Sequence, residues 1–331
     1  MDTDGVTYSS NKIKRKGDVK LEDAYIQVTR DCNHMCVFCT QPKENVYLPK
    51  EEAKRMIKDF YDQGFRSVIY TGGEPTLHKD LLELMRFTSN LGFGQRMITN
   101  GSRLTKELCE ELKKIGLINI FISIHTHKPE VAKKLTGVDD LNIVLKGLRN
   151  AINAGLYITI NTTITSLNYP HLSEFYKFML ENFPEVSHYV LNFVEVGGRA
   201  AVNTWVVPRY IDIELELCKS LKLLRSHGKT FRVERVPLCY MCDFEEFSSE
   251  TRRILGQQNY YTYFVAENEL EAFGRGASYD VDYTKADVCK YCPMSKICAG
   301  VKKTYANLHG LKELYPLFKD PQVLIDKKLE D

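Results

Sequence analysis

Short runs rich in β-branched and aromatic residues alternate along this chain with longer segments whose apolar positions recur every three or four residues. The strand-like runs fall at 25–29, 67–70, 95–99, 119–124, 157–165 and 188–196. The helix-like segments lie between and after them, at 50–63, 79–91, 106–115, 141–153, 173–181 and 212–227. About six strand-helix units in this order predict an α/β fold with a parallel sheet and helices outside it. A closed barrel of eight units takes about 250 residues, whereas the rhythm here ends near residue 230. The expected fold is therefore a partial (β/α)6 TIM-like barrel, with its chemistry where strands end and loops begin. Three regions follow: a polar arm over 1–23, the barrel over 24–230, and an irregular region over 231–331 that holds five of the ten cysteines.

Composition narrows the class of molecule. A chain of 331 residues with 44% hydrophobic and 27% charged side chains is a globular protein, not a fibre, a peptide hormone or a disordered tail. Its formal charge of +2 names no polyanionic partner, so no nucleic acid is indicated. No apolar run has the length of a membrane span, and the first 20 residues lack the apolar centre of a signal peptide. A cytoplasmic location with no membrane partner is the expectation. In that compartment thiols stay reduced, so the cysteines read as metal ligands or redox centres before they read as disulfides.

Cys32-Asn-His-Met-Cys36-Val-Phe-Cys39 follows directly on the first strand. Three thiols this close on one loop reach a single metal centre and leave one coordination position open, because structural zinc and closed iron-sulfur clusters both take four protein ligands. A zinc knuckle completed by His34 or a distant residue is the other use of such a triplet. The spacing, with Phe38 just before the last cysteine, resembles the radical S-adenosylmethionine (radical SAM) superfamily. That resemblance implies a [4Fe-4S] cluster held by Cys32, Cys36 and Cys39, with S-adenosylmethionine on the fourth iron.

The second strand ends in Gly72-Gly73-Glu74-Pro75, which resembles the Gly-Gly-Glu-Pro segment at the same place in the superfamily. Glycines permit close backbone approach to a ligand, and the carboxylate is a partner for the cofactor's ammonium group. Later strand ends contribute Thr99-Asn100-Gly101, Ser123 with His125, Asn161 with Thr163, and Asn192 with Glu195. Ser123 and Asn161 are the expected cofactor contacts, alongside Phe38 and 72–75. His125 and Glu195 are the candidates for catalytic chemistry on the substrate.

The second cysteine group comprises Cys239-Tyr-Met-Cys242 and Cys289-Lys-Tyr-Cys292-Pro-Met-Ser-Lys-Ile-Cys298. Paired Cys-x2-Cys units also build zinc ribbons, but the fifth thiol is surplus to one. The run from Cys289 to Cys298 resembles the SPASM and twitch cluster-binding extensions of radical SAM enzymes. The resemblance implies one auxiliary [4Fe-4S] cluster on Cys239, Cys289, Cys292 and Cys298, with Cys242 as the alternative to Cys239. Cys109 and Cys218 lie in helical patterns and read as small buried hydrophobes.

Membership of this superfamily implies an oxidoreductase-like enzyme that receives an electron from a low-potential donor such as flavodoxin or ferredoxin. It then cleaves S-adenosylmethionine to a 5'-deoxyadenosyl radical, which takes a hydrogen atom from the substrate. A closed auxiliary cluster accompanies oxidative modification of peptides in many relatives, so a peptide or protein side chain is the first expectation, with a separate peptide-recognition protein as a possible partner. A small metabolite, such as a sugar or nucleoside derivative, is the alternative. A non-catalytic iron-sulfur or zinc protein is the third reading.

Overall fold

The computed structural model describes residues 23–255, 260–265, 270–274 and 282–329, so nearly all of the polar arm lies outside the described residues. Seven strands run in chain order across one sheet: β1 (Asp23–Thr29), β2 (Ser67–Gly72), β3 (Gly94–Thr99), β4 (Leu117–Ser123), β5 (Tyr157–Ile164), β6 (His188–Phe193) and β7 (Thr230–Glu234). Each is parallel to its neighbours. Helices α1 (Lys50–Gln63), α2 (Leu81–Asn90), α3 (Lys106–Ile115), α4 (Pro129–Thr136), α5 (Leu141–Asn153), α6 (Leu172–Asn182), α7 (Gly198–Val202) and α8 (Tyr210–Ser226) connect them. This is the partial α/β barrel the periodicity predicts.

Local chemistry explains the elements. In α1 the buried Ala53, Met56, Ile57 and Phe60 form one stripe, and the helix stops at Gly64. Helix α3 starts at Thr105, whose hydroxyl accepts the Leu108 N–H, and buries Cys109, Leu112 and Ile115. Cys109 is thus the core filler its position predicts. Along β4 the alternation sends Ile120 and Ile122 into the layer of buried residues and leaves Asn119, Phe121 and Ser123 on the other face.

Two differences from the sequence reading concern the sheet. There is a seventh parallel strand, and it starts at 230, where the barrel was expected to end. Arg232 and Glu234 alternate with the buried Phe231 and Val233, so the charged face hides the strand from an apolar pattern. Beyond it, β8 (Tyr260–Val265) pairs in parallel with the far side of β1, and β9 (Leu270–Gly274) pairs antiparallel with β8. The sheet therefore has nine strands and runs into the region expected to be separate. Helix α4, also unexpected, is short and opens on Pro129.

Between β7 and β8 lies the short helix α9 (Ser249–Ile254). The last segment carries a two-stranded sheet, β10 (Tyr283–Thr284) with β11 (Val301–Lys302), and helices α10 (Lys303–His309) and α11 (Pro321–Leu329). It docks on the barrel through tilted aromatic rings. Tyr305 packs 4.3 Å from Tyr210, which packs 4.4 Å from Phe193, and the Tyr305 hydroxyl accepts the Tyr210 N–H. Aromatic contacts of this kind contribute about 0.5–1.5 kcal/mol each beyond their buried area. Among the described residues no helix is long and apolar enough to cross a membrane.

Candidate active site

Cys32, Cys36 and Cys39 sit on the loop after β1, and three parts of the barrel hold that loop. The last carbonyls of α4, which have no partner inside the helix, accept from the loop: Met35 N–H bonds Thr136 O at 2.8 Å and Val37 N–H bonds Leu135 O at 2.9 Å. After β6, the Arg199 N–H bonds Cys39 O at 2.9 Å, its Nε donates to Cys36 O at 2.7 Å, and Asn203 Nδ2 donates to Val37 O at 3.1 Å. At the end of β3, Asn100 Nδ2 donates to Asn33 Oδ1, and Asn33 Nδ2 donates to Ser102 Oγ, each at 2.8 Å. His34 turns away from the thiols to meet Asp140 at 2.7 Å, so it does not complete a knuckle.

Three thiolates on one loop fit a cluster that keeps one iron open to a ligand. Burial, with Cys39 and Cys32 adding to it and Arg199 opposing, pushes the Cys36 thiol up to about 12. Cys32 is raised by burial as well. Thiolates gathered in this way are unfavourable until positive charge lies among them, which bound iron supplies.

The Gly72–Pro75 turn meets this loop directly. A Cβ on Gly73 would lie 2.1 Å from Asp31 O, and one on Gly72, at φ +146°, would lie 2.2 Å from Thr29 O. Both positions therefore require glycine. Gly73 N–H and Glu74 N–H bond Thr29 O and Asp31 O at 2.8 Å each, fastening the turn to the start of the cysteine loop. The Glu74 side chain also ties the turn to β3. It is fully buried, and its two oxygens accept from Thr76 N, Thr76 Oγ1, Thr99 Oγ1 and Asn100 N at 2.6–3.0 Å. Three of these donors meet Oε1 and only the Asn100 N–H meets Oε2, which keeps accepting capacity. Glu74 is thus a strut between β2 and β3.

The remaining strand ends gather as follows. Ser123 and Asn161 are register partners on β4 and β5. Asn161 Oδ1 accepts from Asn192 Nδ2, whose own Oδ1 accepts from Arg235 at 3.3 Å. Arg235 also pairs with Glu195 at 3.2 Å, and Lys302 of β11 pairs with the other oxygen of Glu195 at 3.2 Å. Those two cations hold the Glu195 carboxyl below its usual range against the opposing effect of burial, so it is an ionised strut and not a ready proton donor. His125 lies edge-on to Phe38 at 4.9 Å, and its Nδ1 accepts the Thr163 N–H at 3.0 Å. Burial drives its pKa down to about 3, with His34 adding to the shift. With Nδ1 engaged by the Thr163 N–H and its edge against Phe38, His125 packs as a wall of the site.

The second group assembles across a longer stretch of chain. Cys239, Cys289, Cys292 and Cys298 line one cleft, together with Leu314, Tyr315 and Leu317. Burial raises the thiols of Cys239, to about 12, and of Cys289 and Cys298. Backbone N–H groups of Gly300 and Leu317 point at the sulfurs of Cys298 and Cys292, both at 3.3 Å. Gly300 sits at φ +85°, where a Cβ would lie 2.2 Å from Thr284 O. Four thiols in one cleft fit a closed auxiliary [4Fe-4S] cluster.

Cys242, the alternative ligand, is elsewhere. It forms a disulfide with Cys218 of α8, with Cα atoms 5.6 Å apart. This also corrects Cys218, which is a cross-link and not an apolar filler. Helical spacing gave no sign of the pair, whose members are 24 residues apart. Arg199, Asp140, Asn168 and Arg235 were missed as well. Asn168 Nδ2 donates to His125 O at 2.7 Å and Thr163 O at 2.8 Å, tying the ends of β4 and β5. For Arg199 the signal was available: Gly197-Gly198 after β6 repeats the glycine pair at the end of β2.

The fold and the three-thiol loop define an enzyme that works with an iron-sulfur cluster and S-adenosylmethionine. The profile of the Radical SAM superfamily matches residues 26–179. A probable GTP 3',8-cyclase of Saccharolobus solfataricus is 34% identical over 217 residues, 64% of this chain and 70% of that protein. A probable GTP 3',8-cyclase of Thermococcus kodakarensis is 38% identical over 143 residues, 42% of this chain and 46% of the relative, so the chain matches about half of that relative's length. Streptococcus suis SuiB bound to S-adenosylmethionine shares the fold, with a TM-score of 0.63 at 19% identity over 91% of this chain and 77% of that one. The chain belongs to the radical SAM superfamily.

These relatives overturn one expectation. Proteins 34–38% identical to this chain over the aligned residues are named for a nucleotide, GTP, and not for a peptide. The reading of a peptide or protein side chain as substrate, and of a separate peptide-recognition partner, does not stand.

Proposed function

We propose that this chain is a radical SAM enzyme acting on a nucleotide or a closely related nucleoside derivative. The observation that carries this reading is the 34% identity over 217 residues with a protein named a GTP 3',8-cyclase. In this reading Cys32, Cys36 and Cys39 hold the first [4Fe-4S] cluster, and Cys239, Cys289, Cys292 and Cys298 hold a second in a twitch-like arrangement. The fit of each thiol set, described above, supports the assignment.

When bound, the first cluster and S-adenosylmethionine supply a 5'-deoxyadenosyl radical that removes a hydrogen atom from the substrate. The chain's own residues position and shield. The backbone of 72–75 lines the cofactor site beside the cysteine loop, and Ser123 and Asn161 orient the cofactor from β4 and β5. Phe38 and His125 form an apolar wall that excludes water. The sheet face carrying Asn192 and Arg235 leads toward the second thiol group through Glu195 and Lys302. The electron comes from a low-potential donor of the flavodoxin or ferredoxin kind, in the cytoplasm.

The test is 5'-deoxyadenosine formation by the anaerobically reconstituted, dithionite-reduced protein with GTP, ATP, CTP, UTP or no nucleotide. A purine nucleotide, GTP first, is expected to raise the yield severalfold and to be consumed. Formation that no nucleotide changes overturns the reading.

A further inference from the structure

We propose that Arg199 is a positioning residue of the first cluster: its guanidinium clamps the cysteine loop, and its positive charge raises the reduction potential of the centre bound there. The inference rests on membership of the radical SAM superfamily and not on the nucleotide reading.

Three contacts from one residue reach the loop. Arg199 Nε donates to Cys36 O at 2.7 Å, Nη1 reaches Gln41 O at 3.4 Å, and the backbone N–H bonds Cys39 O at 2.9 Å. Two of the three thiol-bearing residues are thus fastened through their carbonyls. The guanidinium is half-buried, and no carboxylate among the described residues lies within ion-pair distance of it. Arg235, by contrast, is paired with Glu195, and Arg232 with Glu234. A cation left unpaired beside a ligand loop acts on whatever charge the loop holds. One-electron reduction of an iron-sulfur centre adds a negative charge, and a nearby cation in a poorly screened setting favours that state. Asn203, one helical turn on, makes a similar tie to Val37 O without carrying charge. It therefore serves as a control.

The experiment is an EPR-monitored reductive titration of the anaerobically reconstituted full chain without nucleotide. The first cluster is identified by the change in its signal on adding S-adenosylmethionine. In Arg199→Met the ratio of reduced to oxidised first cluster at a fixed poise is expected to fall about tenfold, equivalent to about 59 mV for one electron. Arg199→Lys keeps the charge and is expected to stay within about threefold of wild type. Asn203→Ala is expected to leave the ratio unchanged. An unshifted Arg199→Met, or an equal shift in Asn203→Ala, overturns the proposal. If Arg199→Met does not retain the cluster, Arg199→Gln decides, since it keeps a donor for the Cys36 carbonyl and removes the charge: a tenfold fall supports the proposal, and a ratio near wild type overturns it. No assay here contains a nucleotide, so failure of the nucleotide reading leaves every readout intact.

Discussion

The two cysteine groups reach similar chemistry by opposite construction. The first lies on one loop of eight residues from Cys32 to Cys39, and the barrel grips that loop through backbone carbonyls and amides from α4, α7 and the turn after β2. The second gathers Cys239 with three thiols some fifty residues later and closes over them with the segment at 314–317. In the first, a strand end and two glycines set the geometry, and the ligand types follow in sequence. In the second, distant pieces must fold together before the site exists. The first should therefore tolerate loss of the second, while loss of the first leaves nothing to initiate chemistry.

The sharpest break in this comparison is Cys36→Ala. It is expected to reduce 5'-deoxyadenosine to background, measured by chromatography of the reduced protein with S-adenosylmethionine. Cys292→Ala is expected to lower product formation far more than cofactor cleavage. Equal loss of both activities in Cys292→Ala would mean the two groups act as one centre.

A smaller effect tests how the first loop is held. Glu74→Leu leaves the Asn100 N–H and the Thr99 hydroxyl without their acceptor in a buried setting. Each orphaned group costs about 1–3 kcal/mol, so a loss of roughly 3 kcal/mol is expected in urea unfolding of the apoprotein. Iron content should fall at the first site and persist at the second. Glu74→Gln, which keeps part of the acceptor, should fall between the two. Stability equal to wild type in Glu74→Leu would mean that the carboxylate is no strut between the strands.

The same contrast governs how much the sequence reveals. Helices α1, α3 and α5 begin and end where their apolar stripes do, and the Cys-x3-Cys-x2-Cys spacing is visible because the residues are neighbours. Strand β7 was hidden because one of its faces carries the charged pair Arg232 and Glu234, and α4 because it is short and opens on proline. The fate of Glu74 was not legible either. A carboxylate in a strand-end turn gives no sign of the donors from β3 that come to it through the fold. The pairing of Cys242 with Cys218 depends on α8 lying beside the loop after β7, a contact no local pattern encodes.

That disulfide gives the next prediction. Closing a loop of 24 residues stabilises by about 3 kcal/mol in the chain-entropy description. Cys218→Ser with Cys242→Ser is therefore expected to lower stability by roughly that amount at most, read from urea midpoints without reductant. In dithiothreitol the variant and the wild type should converge. The second site is the one to loosen, because Cys239 lies three residues from Cys242. A matching loss of iron at the first site would erase the independence argued above.

The smallest effect concerns the wall of the first site. His125 is neutral in the fold, its pKa driven to about 3 by burial, against about 6.5 for an unperturbed imidazole. Between these values the unfolded chain binds a proton that the folded chain does not. The stability linked to His125 is therefore complete above about pH 6.5 and is lost as pH falls toward 3. His125→Gln removes that linkage while offering an oxygen to the Thr163 N–H that the ring now accepts. Urea midpoints between pH 6.5 and pH 4 should decline less steeply in the variant than in the wild type. The pH profile of cofactor cleavage should be the same in both, because a ring that stays neutral across the working range contributes no titration to it. Parallel stability curves with a changed activity profile would make His125 a proton carrier, and the first site would then contain a titrating group that its packing argues against.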